Sequence, residues 1–358
     1  MNIRIIKRSD MPKRQEIIIR IAAVLMSIVF AGLILVIFGL NPLKIFATII
    51  KGSLGTEIRI QQTIIRAIPL TITALGIIVA FKMKFWNIGA EGQITMGAFG
   101  ATWVALNLPE TLPMPVMLLL MMIAAMLCGG IWAFIPAMFK AKMGTNETIF
   151  TLMMNYIATQ LAAYYIIVWE VPKGAGKIGI INQNTNAGWL PQIAGKQYLL
   201  TILVVAVMTV LTYIYLKYSK HGYEIAVVGE SQRTASYAGI KVERVIIRTM
   251  VLSGAMCGLM GLLLTAGTDH TLTTTIVGGR GFTAVMVSWM AKFNPIMMIF
   301  TSLLLVVLSR GASEISSVFG LNHSFADILT GIILFFIIGS EFFINYKVSL
   351  RKAGKKEA

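Results

Sequence analysis

The sequence predicts an all-α polytopic membrane protein with about ten transmembrane helices. Of its 358 residues, 57% are hydrophobic and only 13% are charged, whereas soluble domains average about 25% charged residues. The mean hydropathy is +0.79, and the apolar residues form long runs. A helix needs roughly 20 apolar residues to cross about 30 Å of hydrocarbon. Together these observations argue against a soluble enzyme.

Ten apolar segments meet or approach the length of a membrane span. The eighth is too short to cross alone, so it is either a half-helix or takes residues from 272–280, and the count could fall to eight or nine. No convincing cleavage site follows the first apolar run, so we expect no removable signal peptide. A transmembrane domain over 17–345 would lie between tails at 1–16 and 346–358. The predicted spans are 17–39, 64–82, 89–106, 115–139, 147–169, 198–217, 246–267, 281–291, 296–310 and 324–345.

The distribution of basic residues predicts the orientation in the membrane. With the N-terminus in the cytoplasm and the spans alternating, 22 of the 31 Lys and Arg residues fall on the cytoplasmic side. This bias predicts that both termini are cytoplasmic, and the terminal charge runs are also compatible with plain solvated tails. The net charge of +16 therefore does not indicate nucleic acid. Cys128 and Cys257 lie in apolar segments and are expected to be packing residues, without a disulfide or metal.

Two loops are long enough to have functions of their own. The predicted outer loop, residues 170–197, is rich in Gly, Asn and Gln and is either a docking surface or a connector. The predicted inner loop, residues 218–245, contains a short helix that begins with Ser231 as N-cap and ends with Gly239. Ala235, Ala238 and Gly239 would give this helix a small face that another protein could approach, whereas a helix lying on lipid would carry bulky apolar residues. The predicted docking helix comprises Ser231, Gln232, Arg233, Thr234, Ala235, Ser236, Tyr237, Ala238 and Gly239.

Polar residues beside small ones mark the stretch KFWNIGAEGQITMGAFGA, residues 84–101. Asn87, Glu91 and Gln93 lie among glycines and alanines, which allow an irregular helix start at a cavity or at a close helix contact. An ionisable group in a span is a functional hypothesis by default, so Glu91 is a candidate for the substrate path. The alternative is an ion pair between Glu91 and Lys82 or Lys84 that only stabilises the fold. Asn155 either forms a hydrogen bond between two helices or lines the substrate path.

A second glycine-rich stretch, residues 278–291, also precedes a short apolar helix, and it contains Trp289. Two interrupted segments in the two halves of a membrane protein often mark a substrate site between them. The run SGAMCGLMG, residues 253–261, has small residues at regular spacing and predicts tight helix packing.

These motifs together carry a family resemblance. NIGAEGQ (87–93), VVGESQRTASYAGIKV (227–242), SGAMCGLMG and GGRGFTAVMVSWMAKFNP (278–295) occur in this order. They resemble the permease subunits of bacterial ABC importers in the branched-chain amino acid, ribose and nucleoside superfamily. The first motif is most similar to the nucleoside and simple-sugar branch. The resemblance extends from about residue 15 to 345.

The resemblance implies a type II ABC importer permease fold in the bacterial cell membrane, with interrupted helices. It also implies a transmembrane dimer with cytoplasmic ABC ATPases and an external binding lipoprotein or soluble binding protein. The 231–239 helix would then be the coupling helix, and the 170–197 loop would meet the binding protein. In the nucleoside branch the second permease is often a different chain, so we expect a heterodimer. The sequence has no G-x-x-x-x-G-K-[ST] motif, so ATP and Mg²⁺ are expected on the ATPase and no cofactor on this chain.

The substrate follows less directly from the sequence. A nucleoside is neutral and has a flat base, so its path needs amides, hydroxyls and aromatic or Met surfaces. The candidates are Asn87, Gln93, Asn155 and Trp289, and the sequence shows no cluster of charges suited to an anion. A simple sugar such as ribose would fit almost as well, and the NIGAEGQ resemblance favours nucleosides. An ion-coupled secondary carrier, a channel and a membrane enzyme fit less well, because no midplane carboxylate set, filter or catalytic cluster is evident.

Overall fold

The protein is almost entirely helical. The computed structural model describes residues 2–8, 12–193, 196 and 198–351. Within these residues it has thirteen helices and two short strands. The helices are α1 Lys13–Ile37, α2 Pro42–Leu54, α3 Glu57–Phe81, α4 Ala90–Asn107, α5 Met114–Met143, α6 Glu147–Trp169, α7 Tyr198–Tyr218, α8 Lys220–Glu230, α9 Gln232–Tyr237, α10 Val242–Gly267, α11 Arg280–Met290, α12 Pro295–Phe319 and α13 His323–Asn345. The strands β1 Asn2–Lys7 and β2 Tyr346–Arg351 pair in antiparallel register.

Eight helices in the described part of the chain are long and apolar enough to cross a membrane. They correspond to eight of the ten predicted spans and confirm a polytopic all-α protein. The other two predicted spans are α4 and α11. Helix α11 begins at Arg280 and has only 11 residues, about 16 Å at 1.5 Å per residue. Of residues 272–280 it includes only Arg280, so the half-helix alternative is the one that the structure has.

Two helices and the pair of strands were not predicted from the sequence. Helix α2 lies in a segment that no predicted span covers, although Asn41 accepts a hydrogen bond from the Lys44 N–H and Pro42 is the first helical residue, both ordinary start signals. Helix α8 lies in the predicted inner loop, where Ser219 is its N-cap. The strands occupy the two predicted tails, and each strand completes its hydrogen bonds only through a partner more than 300 residues away, which local pattern cannot reveal.

One compact unit comprises residues up to 63 together with those from 304 onward. In it α1 packs along α13, and Phe30 contacts Phe336 with ring centroids 5.6 Å apart. Its buried core consists of Ala31, Leu35, Ile45, Ile49, Ile315 and Leu329. Arg20 of α1 also forms an ion pair with Glu341 of α13, which adds an electrostatic contact to the apolar packing of these two helices.

The second compact unit comprises residues 64–303 and is built around α10. Helix α10 packs on α4 and α5 through facing glycines, since a Cβ at Gly97 would collide with the backbone of Gly258, and one at Gly129 with the backbone of Gly254. The predicted tight packing of the 253–261 run is therefore confirmed. Backbones this close leave little freedom, so α10 fixes the position of α4 and of the residues at its start.

Candidate functional site

The start of α4 is held by a network of buried amides. The Asn87 side chain accepts a hydrogen bond from the Gly89 N–H at 3.0 Å and forms two hydrogen bonds with the Gln93 amide, at 3.1 and 3.2 Å. Its Nδ2 also donates to the Ser253 hydroxyl of α10 at 3.1 Å. Asn87 is 0% exposed and Gln93 is 1% exposed. Both amide side chains thus form hydrogen bonds within the protein, where a buried polar group without a partner would be destabilising.

Asn155 of α6 binds the same helix start from the other side. Its Oδ1 accepts from the Gly92 N–H at 2.8 Å, and its Nδ2 donates to the Ile88 carbonyl at 2.9 Å. The structure therefore has the helix–helix hydrogen bond, which was one of the two alternatives for Asn155. As path-lining groups, Asn87, Gln93 and Asn155 fit poorly, because each is buried and paired within this chain.

Glu91 lies in the first turn of α4 and caps a different helix. Its Oε1 accepts from the Gly279 N–H at 2.7 Å and its Oε2 accepts from the Gly281 N–H at 2.8 Å. A carboxylate at a helix N-terminus satisfies free N–H groups and opposes the helix dipole. The alternative, an ion pair between Glu91 and Lys82 or Lys84, is not the arrangement in the structure, because both carboxylate oxygens accept hydrogen bonds at the start of α11. Gly279 has φ +76°, and a Cβ at Gly281 would lie 2.6 Å from the Glu91 nitrogen.

This junction lies deep in the membrane part of the protein. Ser253, the partner of Asn87, is the twelfth of the 26 residues of α10, which is a candidate span. The starts of α4 and α11 therefore meet near the middle of a spanning helix. Half-helix ends at this depth are tolerated where they are buried in protein or line a polar cavity.

Three charged residues that sequence reasoning missed lie near this junction. Arg280, the first residue of α11, interacts electrostatically with Glu91, Asp269 and Arg66. Its guanidinium also donates to the Ile276 carbonyl at 3.1 Å. Arg66 and Asp269 are exposed. These charges include both signs, so they do not form the cluster of one sign that an anion would need. They come from three segments that are distant in the sequence. An arginine inside the apolar α3 was the available signal.

An aromatic surface lies at the other end of α11. The indoles of Trp86 and Trp289 are stacked, with ring centroids 5.3 Å apart and an angle of 10° between the planes. Phe81 packs edge-on against Trp86 and against Phe293. Trp86 is 38% exposed and Trp289 is 44% exposed. Of the five predicted path residues, Trp289 alone presents a large exposed surface in this chain, and Trp86 was not predicted.

The predicted docking helix is present as α9. The Ser231 hydroxyl accepts from the Thr234 N–H at 3.2 Å, and Gly239 has φ +79°, so the N-cap and the C-terminal glycine are confirmed. The predicted small face is wrong in one respect, because Ala235 is 0% exposed and packs inside the chain. Tyr237 is 92% exposed, and Ala238 and Gly239 are exposed beside it.

Comparison with known proteins identifies the family. Residues 59–338 match the family described as branched-chain amino acid transport system / permease component. The chain belongs to this permease family. Its relatives include a glucose ABC transporter permease of Haloferax volcanii, 28% identical over 92% of this chain and 89% of the relative. A nucleoside ABC transporter permease of Lactococcus lactis is 28% identical over 96% of both chains. A guanosine ABC transporter permease of Bacillus subtilis is 29% identical over 91% of this chain and 94% of the relative. No solved structure matches.

The predicted outer loop of this permease is folded onto the end of α10 and onto the segment that follows it. The Ile181 N–H donates to the His270 carbonyl at 2.8 Å, and the Leu190 N–H donates to the Ala266 carbonyl at 2.8 Å. The Trp189 ring stacks on His270 with centroids 3.8 Å apart. The loop is therefore more than a loose connector, although its predicted docking role stays a prediction.

Glu170 closes a turn at the start of this loop. Its two carboxylate oxygens accept from the N–H groups of Gly174 and Gly176, each at 2.7 Å. These hydrogen bonds, with a smaller contribution from Lys173, hold the pKa of the Glu170 carboxyl below its usual value.

Among the described residues, no group of three or more His, Cys, Asp or Glu could hold a metal ion.

Proposed function

We propose that this permease is the transmembrane subunit of an ATP-driven importer that moves nucleosides from an external binding protein into the cytoplasm. The site that carries the proposal is the junction of the α4 and α11 starts near the middle of α10, together with the exposed aromatic surface at the other end of α11. The nucleoside and guanosine permeases that resemble this chain over nearly their whole lengths support the substrate class.

A nucleoside offers two kinds of surface, and the site has a counterpart for each. The exposed faces of Trp86 and Trp289 would stack on the flat base. The ribose hydroxyls both donate and accept hydrogen bonds, so they suit the mixed charges of Arg66, Asp269 and Arg280. Together with Glu91 the formal charges of these residues sum to zero, which favours a neutral solute over an ion.

In this proposal the buried amides position the path without touching the substrate. Asn87 and Asn155 hold the backbone at the start of α4, and Glu91 ties that start to α11. Helices α4 and α11 would then move as one body when the path opens. This division explains why three of the predicted path residues are buried.

The partners follow from the resemblance and from the exposed surfaces. A cytoplasmic ABC ATPase, which carries ATP and Mg²⁺, would receive α9 through Tyr237 and Ala238. A second permease, expected to be a different chain as in the nucleoside branch, would complete the path. An external substrate-binding lipoprotein would dock on the 170–193 segment. Both termini would be cytoplasmic, as the distribution of basic residues predicts.

A sugar importer is the second candidate, and the glucose permease relative favours it. Sugars share the hydroxyls of ribose but lack a flat conjugated ring. The two functions therefore differ in their need for the Trp86–Trp289 surface.

Uptake in cells tests the substrate. Labelled guanosine, adenosine, uridine, ribose and glucose are compared in a strain that lacks this permease and in the complemented strain. We expect nucleoside uptake to depend on the gene. Sugar uptake that depends on the gene, with nucleoside uptake unchanged, would overturn the nucleoside assignment in favour of the sugar importer.

A further inference from the structure

An apolar groove lies between α1 and α13 in the unit formed by the chain's first and last segments. Its volume is about 980 Å³, and its lining is almost wholly hydrocarbon and aromatic. Ala23 and Met26 line it from α1, and Phe335, Phe336 and Phe343 line it from α13. The residues that line the groove all belong to this unit, whereas the α4–α11 junction belongs to the other unit.

The depth of the groove determines what can fill it. Helix α1 and the later part of α13 are both candidate membrane spans, so their lining residues lie in hydrocarbon. Along α1 the neighbouring side chains Leu25 and Val29 are 58% and 62% exposed, as expected of a face in contact with lipid. An apolar groove on such a face is accessible to lipid acyl chains.

One cationic side chain lines the groove together with these apolar residues. The backbone N–H of Arg8 donates to the carbonyl of Asn345 at 2.9 Å, which fixes Arg8 beside the last residue of α13. The Nε of Arg8 is buried and has no hydrogen-bond partner in the described part of the chain. The guanidinium cannot lose its charge, so a buried Nε–H without an acceptor is unfavourable.

We propose that this groove binds one anionic phospholipid, with an acyl chain among the Phe335, Phe336 and Phe343 side chains and the phosphate on Arg8. A phosphate oxygen would supply the acceptor that Nε lacks, in the charge-assisted geometry that arginine favours. Charge complementarity and the apolar lining select an amphiphile with a negative head. A helix of a second protein would fill the groove but would leave the Nε of Arg8 without an acceptor unless it also brought an anion.

Lipid retention by the purified full-length protein tests the proposal. The protein is stripped of lipid in detergent, incubated with equal amounts of phosphatidylglycerol and phosphatidylcholine, and analysed by native mass spectrometry. We expect the wild type to retain phosphatidylglycerol about fivefold over phosphatidylcholine, the preference expected from one basic residue at a membrane surface. Arg8→Ala should remove this preference, and Arg8→Lys should restore only part of it, because lysine keeps the charge without the Nε–H.

Two matched variants separate this site from general effects. Arg14→Ala removes an exposed arginine of α1 that does not line the groove, and it should leave the preference intact. Ala23→Trp fills the groove and should lower the retention of both lipids. Each variant must elute as the wild type does in gel filtration, and Arg8→Gln replaces Arg8→Ala if the latter does not.

Three results would contradict the proposal. The first is equal retention of the two lipids by the wild type. The second is the same loss of preference in Arg14→Ala as in Arg8→Ala. The third is loss of a copurifying second permease in Ala23→Trp without any change in bound lipid, which would assign the groove to a protein partner.

Discussion

The carboxylate of Glu91, in the first turn of α4, accepts a hydrogen bond from the backbone N–H of Gly281, in the first turn of α11, at 2.8 Å. The other carboxylate oxygen accepts from the Gly279 N–H. One side chain thus joins two helix starts that are about 190 residues apart in the sequence. Because Gly281 lies directly against the Glu91 backbone, the contact depends on both the charge and the missing side chain.

Replacing Glu91 by Gln tests the charge. The amide keeps the shape but can accept only through its oxygen, so one of the two hydrogen bonds is lost and the other weakens, a loss of about 1.5–3 kcal/mol. We expect at least a tenfold loss of transport with normal amounts of folded protein. The measurement is labelled nucleoside uptake alongside quantified membrane expression. Normal uptake would show that the charge is dispensable, and loss of folded protein would indicate a purely structural role.

Replacing Gly281 by Ala tests the close approach. The added Cβ would lie 2.6 Å from the Glu91 nitrogen and 2.9 Å from its Cα, so the two helix starts must separate, at a cost of about 1–3 kcal/mol. We expect a lower midpoint of thermal unfolding in detergent. Gly331→Ala is the matched control, since a Cβ there meets nothing within 4 Å. If both variants unfold at the wild-type temperature, the contact does not stabilise the protein.

Replacing Trp289 by Ala tests the aromatic surface. Loss of the stacked indole should raise the half-saturating concentration for nucleoside uptake, by about tenfold if stacking contributes roughly 1.5 kcal/mol. Trp289→Phe should retain part of the affinity. Trp103→Ala removes an indole of α4 that is 48% exposed and is the control. Equal uptake by the Trp289→Ala and Trp103→Ala variants would argue against base stacking at this surface.

The exposed end of α9 should couple the permease to its ATPase. Ala238→Trp and Tyr237→Ala change side chains that the chain itself does not bury, so the fold should remain intact while ATP-driven uptake is lost. Ala235→Trp, in contrast, should reduce the amount of folded protein because Ala235 is fully buried. Tyr223→Ala, at a tyrosine of α8 that is 68% exposed, is the control. Full uptake by Ala238→Trp would exclude α9 as the coupling element.

The turn at Glu170 should depend on pH. The pKa of this carboxyl is lowered in the folded protein, mainly by the Gly174 and Gly176 N–H groups. Its stabilising effect is therefore fully present above the ordinary pKa of 4.5 and is lost as the pH falls through the lower, folded pKa. Hydrogen-exchange protection of Gly174 and Gly176, corrected for intrinsic rates, should drop over that range. In Glu170→Gln the protection should be low at every pH, and an unchanged profile in the wild type would contradict this account.

The helices could be predicted from the sequence because the residues that indicate each helix lie within or next to its own segment. Apolar length marked the spans, Ser231 marked the start of α9, and the glycines of 253–261 marked the close packing of α10. The partner of Glu91 could not be predicted. Lys82 and Lys84 are close to Glu91 in the sequence, whereas α11 is distant in the sequence and comes close only in the folded protein. The same reason hid Arg66 and Asp269, whose proximity to Arg280 exists only after α3, α10 and α11 have packed.

The burial of individual residues could not be predicted from the sequence either. The sequence around Asn87 and Gln93 is equally compatible with amides that face a solute and with amides that bond to each other. In the structure the two side chains are hydrogen-bonded to each other. Ala235 and Ala238 have the same small side chain, yet α9 turns one inward and the other outward. Sequence spacing places such residues on a helix, and tertiary packing decides which of them remain accessible.

The accessibility of position 289 during transport tests the central claim most directly. Trp289→Cys is expressed with the companion subunits in membrane vesicles, and the wild type, with Cys128 and Cys257, gives the background labelling. A maleimide reagent is applied during ATP hydrolysis, with and without guanosine. If nucleosides pass along the Trp86–Trp289 surface, guanosine should slow the labelling of this cysteine several-fold, and ribose should slow it less. Labelling that guanosine leaves unchanged, in vesicles where the Trp289→Cys protein still transports guanosine, would contradict the proposed path.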